Sequence, residues 1–548
     1  MVDLGGGDDR GRRVRLHRLR PRPLGSHADG DARPDLRSAH DRQSHARAGD
    51  RSQPGESAVV LLWCFVGVLL GTVIGLLPGL GSTTGVAILL PVTLTLDPVT
   101  ALIMLAGIYY GSQYGSSISS ILISTPGDSS SVVLTIDGYQ MARKGRAGAA
   151  LAISALASFF AAIVSLIGLI ALAQPIARFA LNFGPAENLA IILLGMATIV
   201  SFAGENILRG ITMAAAGLLV SMVGVASGFS TARFTFGSVN LLSGLDFVAV
   251  MIGIFAVGEV LHQIRRGGEK PIRAGFRDLL VTKEELRRAF PSTVRGTGLG
   301  FTVGVLPGAG ATLATFLAYG VEKQVSRFRQ FIGKGAPEAV AAPEAANNAA
   351  ANASFIPTLA LGIPGSGTTA VLLGAFVIFG LQPGPLLFQQ EPDLVWGLLV
   401  SFFFGNLILL VLNLPMAPVF AQILRIPYVY LYPIVLMMSF IGAFALGNNM
   451  FTLWIVFFSG LLGYFMKRFD FPAAPFVLGL VLGPLLEKYL VQTSALGNGS
   501  LLIMFQQPLS LILTLAALVA LAYPLVAAVI RNLRTRRADA KARETVTR

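Results

Sequence analysis

Residues 58–142 contain no lysine or arginine, and residues 335–424 contain none either. These apolar runs constrain the fold more than any other feature, because about 20 such residues are enough to cross a bilayer as a helix. Inside lipid a backbone N–H or C=O has no water to bond, so the helices must satisfy these groups internally. Composition agrees: 53% of the residues are apolar, 13% are charged and the mean hydropathy is +0.68, outside the range of soluble domains. The text from residue 58 to residue 530 has room for about ten to twelve crossings. The expected fold class is an all-α polytopic integral membrane protein.

Into these runs the chain writes a helix-breaking phrase twice, GLLPGLG at residues 75–81 and GVLPGAG at residues 304–310, 229 positions apart. A second pair follows, TPGDSSSVVL at residues 125–134 and IPGSGTTAVL at residues 363–372, 238 positions apart. Four Pro-Gly elements in one order and at nearly one spacing indicate two related units. The loops indicate their sense. TLTLDP follows the first phrase without a basic residue, whereas its counterpart carries Lys323, Arg327, Arg329 and Lys334. After the second pair the bias reverses: RKGR at residues 143–146 stands against LQPGPLLFQQEPD at residues 381–393, which has no basic residue. Basic loops stay cytoplasmic, so the units should run in opposite senses through the membrane.

The expected organisation is a disordered basic tail at 1–57, repeat one at 58–262, a cytoplasmic linker at 263–295, repeat two at 296–530 and a cytoplasmic basic tail at 531–548. Both termini should then be cytoplasmic. A wrongly assigned start codon would also explain the first segment. Four apolar runs, 147–172, 186–202, 207–227 and 245–262, fit between the basic clusters of repeat one. VTKEELRRAF in the linker reads as an amphipathic helix near the cytoplasmic surface.

The net charge of +13 and pI near 10.1 come from Lys and Arg at the ends of apolar runs. That placement fits positive-inside bias and gives no reason to expect a nucleic-acid partner. Cys64 is the sole cysteine, which excludes an intramolecular disulfide and a cysteine metal cluster. His17, His27, His40 and His45 have no regular spacing, and no cofactor or resident metal is expected. There is no Walker A motif, no HExxH and no GxSxG elbow with a candidate base, so the chain is not read as a pump or an enzyme.

Proline removes a backbone donor and glycine admits unusual dihedrals, so Pro-Gly interrupts the helical ladder. Freed polar groups are costly in lipid, and interrupted backbone belongs where protein and water line a site. There a fresh helix N-terminus presents N–H groups to an anion, and the preceding carbonyls can hold a cation. Each break supplies the residues for this: Gly79, Gly81, Ser82, Thr83 and Thr84; Ser129, Ser130 and Ser131; Gly308, Gly310, Thr312 and Thr315; Gly365, Ser366, Thr368 and Thr369. N-capping and close helix packing explain the same residue types without a ligand.

Asp128 directly follows Pro126-Gly127 and is the expected sodium ligand or proton carrier, since an ionisable group at membrane depth is expensive. Its alternative is a helix-start Asp at the water boundary. In repeat two, Asn347, Asn348 and Asn352 stand among alanines. Asn348 and Asn352 share a helix face and are expected to bind substrate, with Asn347 and Ser116 assisting the co-ion; plain interhelical bonding is the competing reading. The matching region of repeat one offers Gln113, Tyr114, Ser116 and Ser117.

The phrases GLLPGLGSTTGVAILLP, IYYGSQYGSSISSILISTPGD, GVLPGAGATLATFLAYGVEK, PEAANNAAANASFIPTLALGIPGSGTTAVLLGAF and LQPGPLLF resemble the large membrane subunit of bacterial tripartite tricarboxylate transporters. The resemblance spans about residues 58–531. It implies a secondary carrier importing citrate-like carboxylates across the bacterial inner membrane, driven by a sodium or proton gradient. It also implies two partners, a small membrane subunit and a periplasmic solute-binding protein. The rival reading is an ion channel, because broken helices also line pores.

Overall fold

In a computed structural model the described residues are 54–201, 207–226, 231–264, 279–308, 310–424 and 428–522. The tail readings (1–57 and 531–548), apart from residues 54–57, and linker residues 265–278 lie outside them. The described chain is helical almost throughout. Repeat one contains α1 (Pro54–Leu76), α2 (Gly81–Thr93), α3 (Pro98–Ile123), α4 (Leu134–Met141), α5 (Ala147–Ala180), α6 (Pro185–Ser201), α7 (Ile207–Ser221) and α8 (Phe247–Gln263). Repeat two contains α9 (Lys283–Gly304), α10 (Gly310–Val325), α11 (Pro337–Ala353), α12 (Phe355–Leu361), α13 (Gly367–Ile378), α14 (Pro392–Asn413), α15 (Ala417–Ile423), α16 (Tyr428–Gly447), α17 (Met450–Arg468), α18 (Ala473–Leu496) and α19 (Pro508–Ala522). Among the described residues five helical stretches are long and apolar enough to cross a membrane, and several further apolar helices, such as α2, α7 and α13, are shorter. The chain is an all-α polytopic membrane protein.

The shortness has a cause in the sequence. Helix α2 has 13 residues, about 20 Å, which falls short of a hydrocarbon core of about 30 Å. Gly79 (φ +80) and Gly81 (φ +61) turn the chain between α1 and α2. Gly308 (φ +77) and Gly310 (φ +64) do the same between α9 and α10. An L side chain is strained in that region, so glycine is required at both breaks. The second pair also agrees position for position. Ser124 (φ 53) ends α3 and Gly362 (φ 70) ends α12; Asp128 and Ser366 then occupy matching N-cap positions.

Packing repeats as well. Gly67, Gly71 and Gly75 on α1 lie against the backbone of Met104, Ile108 and Ser112 on α3. Gly296, Gly300 and Gly304 on α9 lie against Ala342, Ala346 and Ala350 on α11. A Cβ at any of these six glycines would collide with backbone of the facing helix. Spaced by four, they form one face on which helices approach closely, as membrane helices favour. The contacts obey the same 229 and 238 offsets as the Pro-Gly phrases. Helix α11 is buried along its whole length and packs on α3, α4, α5, α9 and α10.

Two charged loops meet at one end of this core. The Lys144 ammonium donates to the Lys334 carbonyl, and Asp137 accepts from the N–H groups of Gly333, Gly335 and Ala336. Arg146 pairs with Glu285 at 2.6 Å. The two loops expected on the same side of the membrane are thus neighbours. The amphipathic stretch of the linker differs from expectation: a Thr282–Glu285 capping box starts α9, which runs unbroken from Lys283 to Gly304. Its early turns lean on protein rather than on a surface alone, since Arg288 pairs with Glu338 and Arg295 with Glu322.

Candidate functional site

Asp128 ties the first two breaks together. Its Oδ2 accepts from the Ser82 N–H at 2.9 Å and the Ser82 hydroxyl at 2.7 Å, while Oδ1 accepts from the Ser129 hydroxyl and the Ser130 N–H. It therefore caps its own helical turn and also holds the start of α2. The Gly79 N–H donates to the Pro126 carbonyl, and the Ser130 hydroxyl donates to the Gln113 side-chain carbonyl.

The two expected units then meet crosswise. The hydroxyls of Thr83 and Thr368 lie 2.9 Å apart, with Ser82 also 3.0 Å from Thr368. The hydroxyls of Ser129 and Thr312 lie 2.8 Å apart. Thr83 and Thr312 are matching positions, so the first break of each repeat touches the second break of the other. Gly310 adjoins Ser366, which closes the set of four. Thr83, Asp128, Thr312 and Ser366 are half-buried and Ser129 is exposed, within surroundings that are otherwise largely buried. Thr369 completes a capping box with Ser366.

A cavity of ≈ 480 Å³ opens beside the first two breaks, within the usual range of about 300–1,000 Å³ for small-molecule sites. Gly79, Gly81, Thr83, Thr84, Asp128 and Ser129 line it. So do Glu259, His262 and Gln263 from α8, and Lys467 from α17. Gln263 donates to the Pro78 carbonyl at 3.2 Å and to Glu259 at 2.8 Å, and Lys467 pairs with Glu259. These α8 and α17 residues were not among the expected site residues. The absence of Lys and Arg from the broken segments was the available signal that a cation must come from another helix.

Several expected residues have other surroundings. The amides of Asn348 and Asn352 donate to Ser158, Ser165 and the Ala162 carbonyl, all on α5. In this structure they bond helix to helix, and none of these bonds runs to the breaks. Ser116 donates to the Gln113 carbonyl beneath Gly127 and is buried. Asn347 is buried with neither side-chain polar atom bonded. Gly365 is packed on Ser354, and the Thr315 hydroxyl donates back to the Thr312 carbonyl. Gly308 turns the third break; neither it nor Gly310, Thr312, Ser366, Thr368 and Thr369 enters the cavity lining, and Ser82 and Ser130 of the first two breaks stay out of it as well. Among the described residues no group of His, Cys, Asp and Glu is placed to hold a metal.

These features define a polytopic helical transport protein built around converging broken helices. The chain matches the tripartite tricarboxylate transporter TctA family over residues 61–478 and belongs to that family. It is 44% identical over 453 residues to a protein of Agrobacterium vitis described as "Uncharacterized 52.8 kDa protein in TAR-I ttuC' 3'region", covering 82% of this chain and 90% of that relative. A second relative from the same organism, "Uncharacterized protein in TAR-II ttuC' 3'region", is 43% identical over 211 residues, 38% of this chain and 87% of its own length. No solved structure matches. Family membership makes the chain a subunit of a tripartite transporter that works with other subunits.

Proposed function

We propose that the junction of the four breaks binds a citrate-like carboxylate and carries it inward across the bacterial inner membrane by alternating access, in two inverted repeats. The observation that carries this reading is the crosswise contact of Thr83 with Thr368 and of Ser129 with Thr312. It sets the third and fourth breaks against the first two, whose helix starts line the cavity, and helix starts favour anionic groups. Gly79, Gly81, Ser82, Thr83, Thr84, Ser129, Ser130, Gly310, Thr312, Ser366, Thr368 and Thr369 supply N–H groups and hydroxyls. Lys467 adds a cation on the cavity wall. Asp128 is the ligand of the coupling ion, sodium or proton. A periplasmic binding protein delivers the substrate, and a small membrane subunit completes the assembly. The meeting of the Lys144 and Lys334 loops supports the inverted sense.

The test is uptake of mono-, di- and tricarboxylates into proteoliposomes, with the partner proteins present or absent and sodium or proton gradients imposed separately. A carrier gives saturable uptake that requires one gradient, and Asp128→Asn loses that requirement while still inserting. Flux that never saturates and needs no gradient would identify a channel and overturn the proposal.

A further inference from the structure

Glu344 lies in the middle of α11 and is 1% exposed. Its Oε1 accepts from the Ser117 hydroxyl on α3 at 2.7 Å. Its Oε2 accepts from the hydroxyls of Ser154 at 3.0 Å and Ser158 at 2.8 Å, both on α5. The helix α5 starts at the basic RKGR loop, so Ser154 and Ser158 stand roughly 12–18 Å along it from Arg146. That is about half the depth of the hydrocarbon core.

Other buried acids of the described chain are held differently. Glu322 and Glu338 carry an arginine, and Glu259 carries Lys467. Asp137 has no cation, but three backbone N–H groups and the Tyr319 hydroxyl point at it. A backbone N–H can only donate, so three of these four groups favour the carboxylate. Glu344 is met by hydroxyls, which donate or accept as they rotate. The Ser117 hydroxyl is already 3.2 Å from the Gln113 carbonyl, an alternative acceptor for its hydrogen. The Ser158 oxygen also accepts from the Asn348 amide at 2.8 Å. A protonated Glu344 can therefore donate to a serine that turns its own hydrogen to a carbonyl, and no group is left unbonded. The cage accommodates both charge states, whereas an unpaired buried charge has a large solvation cost.

The acids on the helices around α11 have partners of their own. On α3 the titratable side chains are tyrosines. Helix α5 faces Glu344 with serines and alanines, α9 meets α11 through glycines and through Arg288, which is paired with Glu338, Glu322 of α10 is paired with Arg295, and Asp137 of α4 is engaged with Tyr319 and residues 333–336. A sodium ion would need space between its oxygen ligands, but these oxygens already stand at hydrogen-bonding distance. A proton needs none.

We propose that Glu344 is a proton-binding site of the transport cycle, separate from Asp128, loaded and emptied within the Ser117–Ser154–Ser158 cage. This rests on the transporter reading above. Its link to the breaks is Gln113, whose backbone carbonyl takes Ser117 and whose side chain holds Ser130 next to Asp128.

Infrared difference spectroscopy of the purified full chain, titrated with pH, tests the proton directly. A protonated-carboxyl C=O band should appear on acidification and vanish in Glu344→Gln, and Ser154→Ala with Ser158→Ala should shift its midpoint without removing it. In proteoliposomes Glu344→Gln should lose accumulation driven by a pH gradient about 5- to 150-fold, the span of ordinary coupling energies, while carboxylate counterflow persists. If Glu344→Gln does not fold, the serine variants alone decide the matter through the midpoint. A titrating band unchanged in Glu344→Gln, no band at all, or a midpoint indifferent to both serines overturns the proposal. Failure of the wild-type chain with its partners to take up any carboxylate would overturn the transporter reading instead, and the infrared result would still stand or fall by itself.

Discussion

Adding one methyl group at Gly300 tests whether the close glycine faces set the geometry of the breaks. A Cβ there would lie 2.5 Å from the Ala346 Cα, against an ordinary contact beginning at 3.4 Å, and would also strike the Ala346 carbonyl oxygen. Backbone cannot rotate aside as a flexible side chain can, so α9 and α11 must part by about 1 Å. Overpacking of this kind costs about 1–3 kcal/mol. The displacement reaches the third break, one turn beyond Gly304, where Thr312 stands 2.8 Å from Ser129. An added 1 Å takes that pair out of hydrogen-bonding range. Gly298 is the internal control, because a Cβ there meets nothing within 4 Å. Gly300→Ala should therefore lose about 1–3 kcal/mol of stability in an SDS-titration unfolding experiment in mixed micelles, and should lower carboxylate uptake. Gly298→Ala should match wild type. If the two variants agree within about 0.5 kcal/mol, the scatter of neutral surface substitutions, the packing argument is wrong. Gly71→Ala is the equivalent test in repeat one, where the Ile108 Cα stands 2.7 Å from the added atom.

Asp137→Ala should leave the N–H groups of Gly333, Gly335 and Ala336 without their acceptor, each at about 1–3 kcal/mol; faster trypsin cleavage after Lys334 than in wild type would show the loop released, and equal rates would refute it. For Glu285, burial pushes the carboxyl up, but hydrogen bonds from the Thr282 N–H and hydroxyl, with the Arg146 bond and charge, outweigh it and hold it below its ordinary value of 4.5. A depressed acid stabilises the fold above its unfolded value and loses that contribution as pH falls through the lowered one. Arg146→Ala should thus move the acid-unfolding midpoint, followed by tryptophan fluorescence, to higher pH; an unmoved midpoint would show that the pair contributes nothing.

What could be read from the sequence was whatever a local pattern determines. Pro-Gly phrases interrupt a helix locally, with positive-φ glycines at the first pair and with Ser124 and Gly362 turning the chain just before the second, so four breaks and their pairing were visible in the text, as were the apolar runs that became α5 to α8. The asparagines of α11 show the limit. Asn348 and Asn352, one turn apart among alanines, suit a ligand or a neighbouring helix equally well, and only the fold shows that Ser158 and Ser165 stand opposite them. The same limit hid Lys467, Glu259 and Gln263, which reach the cavity because α8 and α17 pack together through Gly253, Gly258, Gly460 and Gly463. Small residues let helices distant in sequence approach, and the approach determines which polar side chains share a site. The sequence therefore marks where a membrane helix is interrupted well before it reveals what faces the interruption. For Glu344, the chemistry depends on three serines from two other helices.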